Sequence, residues 1–235
     1  MVSYFPLISG IISGVFTILL ATQYIRRRKT NQLMWTVALA LFTLAYALEF
    51  SSELYGWTET AYRVYYASVS PLVALMGVGT PFLLMRRSLG KCFLAYTILV
   101  STALVILAST ASIDTIALVT YSPPSEISGT AMPSSVRLIS PLLTIPGSLI
   151  LIIGALYSFW LDRSRSYVLL IALGGIIYSL GGSMARLGEL TYVSIFQIVG
   201  ILLLFIGFLL STEYIKKREK REKALEKTEV SETVH

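Results

Sequence analysis

The chain has 235 residues, 55% of them hydrophobic and 14% charged, with a mean hydropathy of +0.73. Soluble domains carry about 25% charged residues, so this composition excludes an ordinary soluble enzyme, and the net charge of +6 does not read as a nucleic-acid surface. One cysteine, Cys92, and one histidine, His235, exclude an internal disulfide, a multi-cysteine metal site and bis-histidine haem ligation; neither a metal nor a cofactor is expected.

Charged residues are confined to short clusters between long apolar runs. The runs cover residues 5–25, 33–55, 64–85, 92–111, 138–160, 167–187 and 192–214. About 20 apolar residues in a helix span a bilayer core of ~30 Å. The expected fold class is therefore an all-α membrane protein, a seven-transmembrane-helix bundle filling residues 1–214. A charged helical tail, 215–235, follows it.

The first run has no charge before it and Arg26, Arg27, Arg28 and Lys29 after it. A signal peptide has the opposite order, so this run reads as a retained span. Further basic residues lie at Arg86, Arg87 and Lys91, at Arg163 and Arg165, and in the tail from Lys216 to Lys227. Only Arg63, Arg137 and Arg186 fall on the other side. The positive-inside rule then puts the N-terminus outside and the C-terminus in the cytoplasm of a multi-pass cell-membrane protein.

Span 2 carries Glu49 and Glu53, four residues apart and so on one helical face. Tyr46 joins that face one turn deeper. Span 3 begins with Arg63, Tyr66 and Ser70 on one face, and Pro71 and Pro81 interrupt it. The segment 112–136 holds Pro123, Pro124, Gly129 and Pro133 and reads as turns, with Ile116–Val119 as a short interfacial element. It serves as a cover, a docking surface or a tether between two halves. Pro146 interrupts span 5. Span 6 ends with Arg186 and Glu189 on the stripe of Tyr178 and Gly182, and Gln197 lies near the start of span 7.

Ionisable groups inside spans are costly and are functional candidates by default. Glu49, Glu53, Arg63, Tyr66, Arg186, Glu189 and Gln197 all fall near one outer level. They form either a ligand-binding site open to the outside or an ion-pair cluster holding spans 2, 3, 6 and 7 together. Every lysine is cytoplasmic in this topology, which excludes a retinal Schiff base. No phosphate loop, G-x-S-x-G or H-E-x-x-H motif is present, so no enzymatic activity is expected.

Spans 1–3 and 5–7 align with each other. Pro6-Leu7 matches Pro141-Leu142, Tyr46 matches Tyr178, and Gly77 matches Gly207. The expected arrangement is a parallel 3+1+3 repeat with span 4 as the inverter. The tail alternates acidic and basic residues, which suits contact with anionic head groups or a cytoplasmic protein partner; a homo-oligomer is also compatible. Asn31 is the only asparagine, which leans toward a thermophilic source.

The stretch Tyr46–Leu84, with Glu49, Tyr65, Tyr66 and Pro71, resembles the seven-helix N-terminal sensor modules of bacterial and archaeal histidine kinases. The chain as a whole resembles uncharacterised archaeal seven-helix membrane proteins. The resemblance implies sensing within the membrane domain, with signalling through a separate partner. The functional expectation is a non-enzymatic sensor or ligand-binding module. The alternatives are a small-solute or proton-coupled carrier and an accessory subunit of a larger membrane complex.

Overall fold

In the computed structural model, the structure describes residues 3–84, 87–121, 124–127, 129–187, 195–211 and 213–214. The charged tail and Glu189 lie outside them. The described residues are α-helical, without a strand. The helices are α1 (Phe5–Arg27), α2 (Thr30–Tyr55), α3 (Glu59–Leu84), α4 (Arg87–Thr110), α5 (Thr115–Thr120), α6 (Ser134–Arg137), α7 (Ser140–Leu161) and α8 (Tyr167–Leu187), then α9 (Ile195–Ser211). Among the described residues, four helices are long and apolar enough to cross a membrane: Phe5–Arg27, Thr30–Tyr55, Ser88–Thr110 and Ser134–Leu161. Tyr167–Gly181 and Ile195–Ser211 are shorter apolar helices.

The bundle is apolar outside and carries its small polar residues within. Ile8, Ile11, Val15 and Ile18 of α1, Ile98, Leu99 and Ile106 of α4, and Ile145, Leu149 and Ile153 of α7 are all exposed. Ser9, Ser13, Ser52, Ser68, Ser70, Thr97 and Ser158 are buried. A soluble bundle shows the reverse. The buried hydroxyls are bonded locally or across one helix pair. Thr43 donates to Leu39 O at 2.9 Å and to Ser13 Oγ at 3.1 Å, which ties α2 to α1. Gly10 and Gly14 of α1 let α2 approach, since a Cβ there would already touch Tyr46 and Thr43.

α3 is the central helix, with α2, α4 and α7 as neighbours. Its closest approach is to α7. A Cβ on Gly77 would lie 2.6 Å from Gly147 O, and one on Gly147 would lie 2.6 Å from Ala74 Cα. α1 meets α9 through Phe16, whose ring lies 5.2 Å from Phe205 and 4.8 Å from Phe208. α8 meets α9 where Gly174 and Gly200 face each other's backbone.

The three helix-interrupting prolines leave carbonyls without their usual intrahelical donor. Pro146 strips the donor from Leu142 O, and Tyr96 Oη of α4 supplies one at 2.7 Å. Beside the Pro81 irregularity of α3, Trp35 Nε1 of α2 donates to Met76 O at 3.0 Å. Arg63 donates through Nη1 to Ala108 O and Ser109 O at the α4 C-terminus, where carbonyls also lack partners.

The segment 112–136 is built rather than loose. Asp114 caps α5 by accepting from Ile116 N and Ala117 N at 3.0 and 3.1 Å. A 3-10 turn, Pro124–Ile127, follows. Leu118, Ile127, Ala131, Met132 and Val136 are buried against Trp57, Tyr62, Tyr65, Tyr66, Leu104 and Leu143. Ile116 and Val119 face outward, 77% and 85% exposed. At the opposite end, the α7–α8 turn is closed by Asp162. Its carboxylate accepts from the Ser164 hydroxyl and amide, pairs with Arg165 at 3.0 Å and meets the Tyr214 hydroxyl at 3.2 Å. The Ser164 bond leads the set that holds this carboxyl below the usual carboxylate range.

Tyr96→Phe leaves Leu142 O unpaired beside Pro146 and is expected to cost about 1–2 kcal/mol. Thermal unfolding in detergent measures it. In a Pro146→Ala background, which restores the backbone donor, the same substitution should cost little; an equal cost in both backgrounds would refute the account.

Candidate functional site

The C-terminal half of α2 places Glu49 between α3 and α8. Its carboxyl is 7% exposed. Tyr65 of α3 donates through Oη to Glu49 Oε1 at 2.7 Å. One turn inward on α2, Tyr46 is 4% exposed. Its hydroxyl faces that of Tyr178 of α8 but makes no hydrogen bond of standard geometry. Phe42 braces both rings: it stands edge-on to Tyr46 at 4.6 Å and tilted to Tyr178 at 5.1 Å. A single buried carboxyl is thus surrounded by three tyrosines from three helices. Such a group has hydroxyl donors in reach and no described cation.

Glu53, one turn outward, has a different task. Oε2 accepts from Ser3 N at 2.9 Å and Oε1 from Ser125 N at 3.0 Å. Both bonds are charge-assisted contacts to backbone amides. They fasten the N-terminal segment and the 112–136 cover to α2. Trp57 adds a second tie, donating through Nε1 to Pro124 O at 2.8 Å.

The other sequence-derived candidates are distributed. Among the described residues, Arg63 pairs with Glu59 at 3.6 Å and not with Glu49 or Glu53. Its guanidinium turns to α4, because the free carbonyls there outcompete a carboxylate already satisfied by amides. Tyr66 is buried beneath the cover, where a Cβ on Gly129 would lie 3.1 Å from its ring. Gln197 is half-buried near the start of α9. Arg186 lies on α8 by its backbone, and Glu189 lies outside the described residues. The expected two-arginine, three-carboxylate cluster is therefore replaced, for the groups that are described, by two separate arrangements around Glu49 and Glu53.

Below the Glu49 group a cleft opens at mid-height in the bundle. It is narrow and partly open to the exterior, with about 20 Å³ of free volume, room for about one water molecule. Leu39 and Phe42 of α2, Leu72, Val73 and Met76 of α3, and Ile201 and Leu204 of α9 form its inner wall. Ser148, Leu151 and Ile152 of α7 and Gly175, Tyr178 and Ser179 of α8 form the other. Tyr178 and Phe42 belong to both the cleft and the Glu49 group. From Phe42 to Glu49 is seven residues, about 10 Å along the helix. The sequence pattern singled out Tyr46 and Tyr178 as partners in the repeat but did not place Tyr65, Tyr178 or the cleft in the site. The readable signal was the i, i+3 spacing of Tyr46 and Glu49 together with the match of Tyr46 to Tyr178.

The chain matches no protein-family model, no curated protein and no solved structure. Among the described residues, no group of three or more His, Cys, Asp or Glu is placed to hold a metal ion.

Tyr65→Phe removes the phenol that donates to Glu49 and is expected to destabilise the bundle by about 1–3 kcal/mol. Adding Glu49→Leu should recover part of that loss, because both polar partners are then gone. Denaturation followed by circular dichroism reads both. A neutral Tyr65→Phe would mean that the pair contributes nothing.

Proposed function

We propose that this is a non-enzymatic seven-span membrane protein, with its N-terminus outside, that binds a small ligand at the Glu49 group and senses its presence. The observation that carries the reading is a buried carboxyl with three tyrosines directly above a mid-height cleft. A carboxyl inside a span costs a few kcal/mol, and an apolar filling would stabilise the bundle more cheaply if packing were its only role. The exposed faces of α1, α4 and α7, largely apolar along their middle turns, support the bilayer as surroundings. The resemblance of Tyr46–Leu84 to kinase sensor modules agrees with sensing, with output through a cytoplasmic partner of the basic tail.

A carrier built from two three-helix repeats is the second reading, and three contacts favour it. Under the pairing of spans 1–3 with 5–7, Tyr46 and Tyr178 are equivalent, and their hydroxyls face each other. The α3–α7 approach at Gly77 and Gly147 has its counterpart in α9 against α1 at Phe16. The cleft sits at the middle of every helix that lines it, as a carrier site does.

Two measurements test the proposal. A membrane-impermeant maleimide should label the exposed Cys92 only from the cytoplasmic side, and Ser112→Cys in a Cys92→Ser background only from outside. The opposite pattern defeats the topology. Protein purified in mild detergent should carry a small molecule seen by native mass spectrometry. Glu49→Gln should lose it while keeping the helical fold. Flux in liposomes that depends on Glu49 would favour the carrier over the sensor.

A further inference from the structure

We infer that α8 and α9 form one hinged unit, latched to α7 by Tyr214 and Asp162, and that this unit carries the state of the Glu49 group to the end of α9. The inference rests on the sensing reading above and supplies the path by which binding becomes a movement.

The unit is defined by where main chain meets main chain. A Cβ on Gly174 would lie 2.8 Å from Gly200 O, one on Gly200 2.8 Å from Tyr178 N, and one on Gly207 3.0 Å from Tyr167 O. These contacts run from Tyr178 to Tyr167, about three turns of α8. Helices that touch at the backbone at several levels cannot slide past each other without clash. Tyr167 adds a hydrogen bond to Ser211 and a ring contact with Tyr214 at 5.5 Å. α7 belongs to the other body. Its backbone meets α3 at Gly147, and Tyr96 of α4 bonds Leu142 O.

The seam between α7 and α8 is of another kind. Side chains hold it: Ala155 packs with Val168 and Ala172, and a Cβ on Gly175 would meet Leu151 Cδ2 at an ordinary 3.4 Å. The narrow cleft lies along the same seam. α9 meets α1 through the Phe16 ring, and α8 meets α2 through Phe42 and Tyr46. Side-chain contacts of this kind can shift in small steps, which is the shear motion of packed helices.

Asp162 sits at the boundary. Its own N–H bonds Ser158 O, so it ends α7 and moves with it. Its carboxylate accepts from the Tyr214 hydroxyl at 3.2 Å, and Ser164 Oγ shares that hydroxyl at 2.7 Å. The Tyr214–Asp162 bond therefore crosses between the two bodies, whereas Tyr167–Ser211 lies within one. Residues 162–166 form the short turn that can absorb the change. At the far end of the unit Tyr178 faces Tyr46, beside Glu49. A change there that moves α8 bears on the latch about three turns away, and the chain continues from Tyr214 into the charged segment 215–235. Both sites then bias one two-state element, which is what coupling between distant sites requires.

The test uses the full-length protein in nanodiscs, spin-labelled at Trp160→Cys and Leu210→Cys in a Cys92→Ser background. Both positions are exposed, one on α7 and one on α9. Pulsed electron paramagnetic resonance should give one dominant distance. Tyr214→Phe keeps the ring and removes the latch hydroxyl, and should raise the minor, longer-distance population at least threefold. Asp162→Asn should do the same. Tyr167→Phe, inside the unit, should leave the population unchanged. Labels at Leu173→Cys and Leu209→Cys, within the unit, should keep one distance in every variant. Tyr178→Phe should shift the 160–210 population at least twofold. An unaltered distance in Tyr214→Phe, or a changed one between 173 and 209, overturns the hinged unit. No response to Tyr178→Phe overturns its coupling to the Glu49 group. If the latch responds as expected and no small molecule is found with the purified protein, the ligand-binding reading fails while the hinged unit stands.

Discussion

The rest of the structure depends on the absence of water around its helices. In an apolar medium every backbone and side-chain polar group needs a partner from the chain itself. Most of the interhelical polar contacts here meet that demand at points where a helix cannot serve itself. Tyr96 bonds the carbonyl that Pro146 releases, and Arg63 bonds the last carbonyls of α4. Each of these bonds joins two helices. The sites that would weaken single helices have become the cross-links between neighbours, and apolar area contributes little to that joining because the surroundings are equally apolar.

Close backbone approach does the rest. At Gly77 and Gly147 the two helices touch main chain to main chain, which fixes their crossing height without long side chains. α8 and α9 repeat this at Gly174 and Gly200. Between these tight crossings, Ser148 of α7 and Gly175 and Ser179 of α8 are short, and the narrow mid-height cleft lies beside them. The same economy that lets helices pack closely at one level leaves room at another.

Much of this was legible in the sequence. The gaps between charges located the helices, and the i, i+4 spacing put Glu49 and Glu53 on one face. Partners across helices were not legible, because helical periodicity says which face a residue is on and not which neighbour it meets. Arg63 could have met Glu49 or Glu53, and instead pairs with Glu59 and with carbonyls whose need arises only once α4 ends beside it. The 112–136 segment read as turns from its prolines, yet its scattered apolar residues, Leu118, Ile127, Met132 and Val136, have no period to betray that they share one buried side. Glu49 and Glu53 look alike in the sequence and differ in role because one faces tyrosines between helices and the other faces two free amides at the rim.

Glu53 also sets a temporal order. Its partner Ser125 lies 72 residues later in the chain, and Trp57 waits 67 residues for Pro124 O. As the chain emerges from the N-terminus, α2 and α3 are made long before anything exists to cover the ends that carry Trp57 and Tyr62. Their aromatic rim of Trp57, Tyr62, Tyr65 and Tyr66 stays uncovered until the chain has been made as far as residue 136. The carboxylate that first meets only Ser3 N then receives the second amide. A contact between the beginning and the middle of the chain thus closes only once the 112–136 segment is complete.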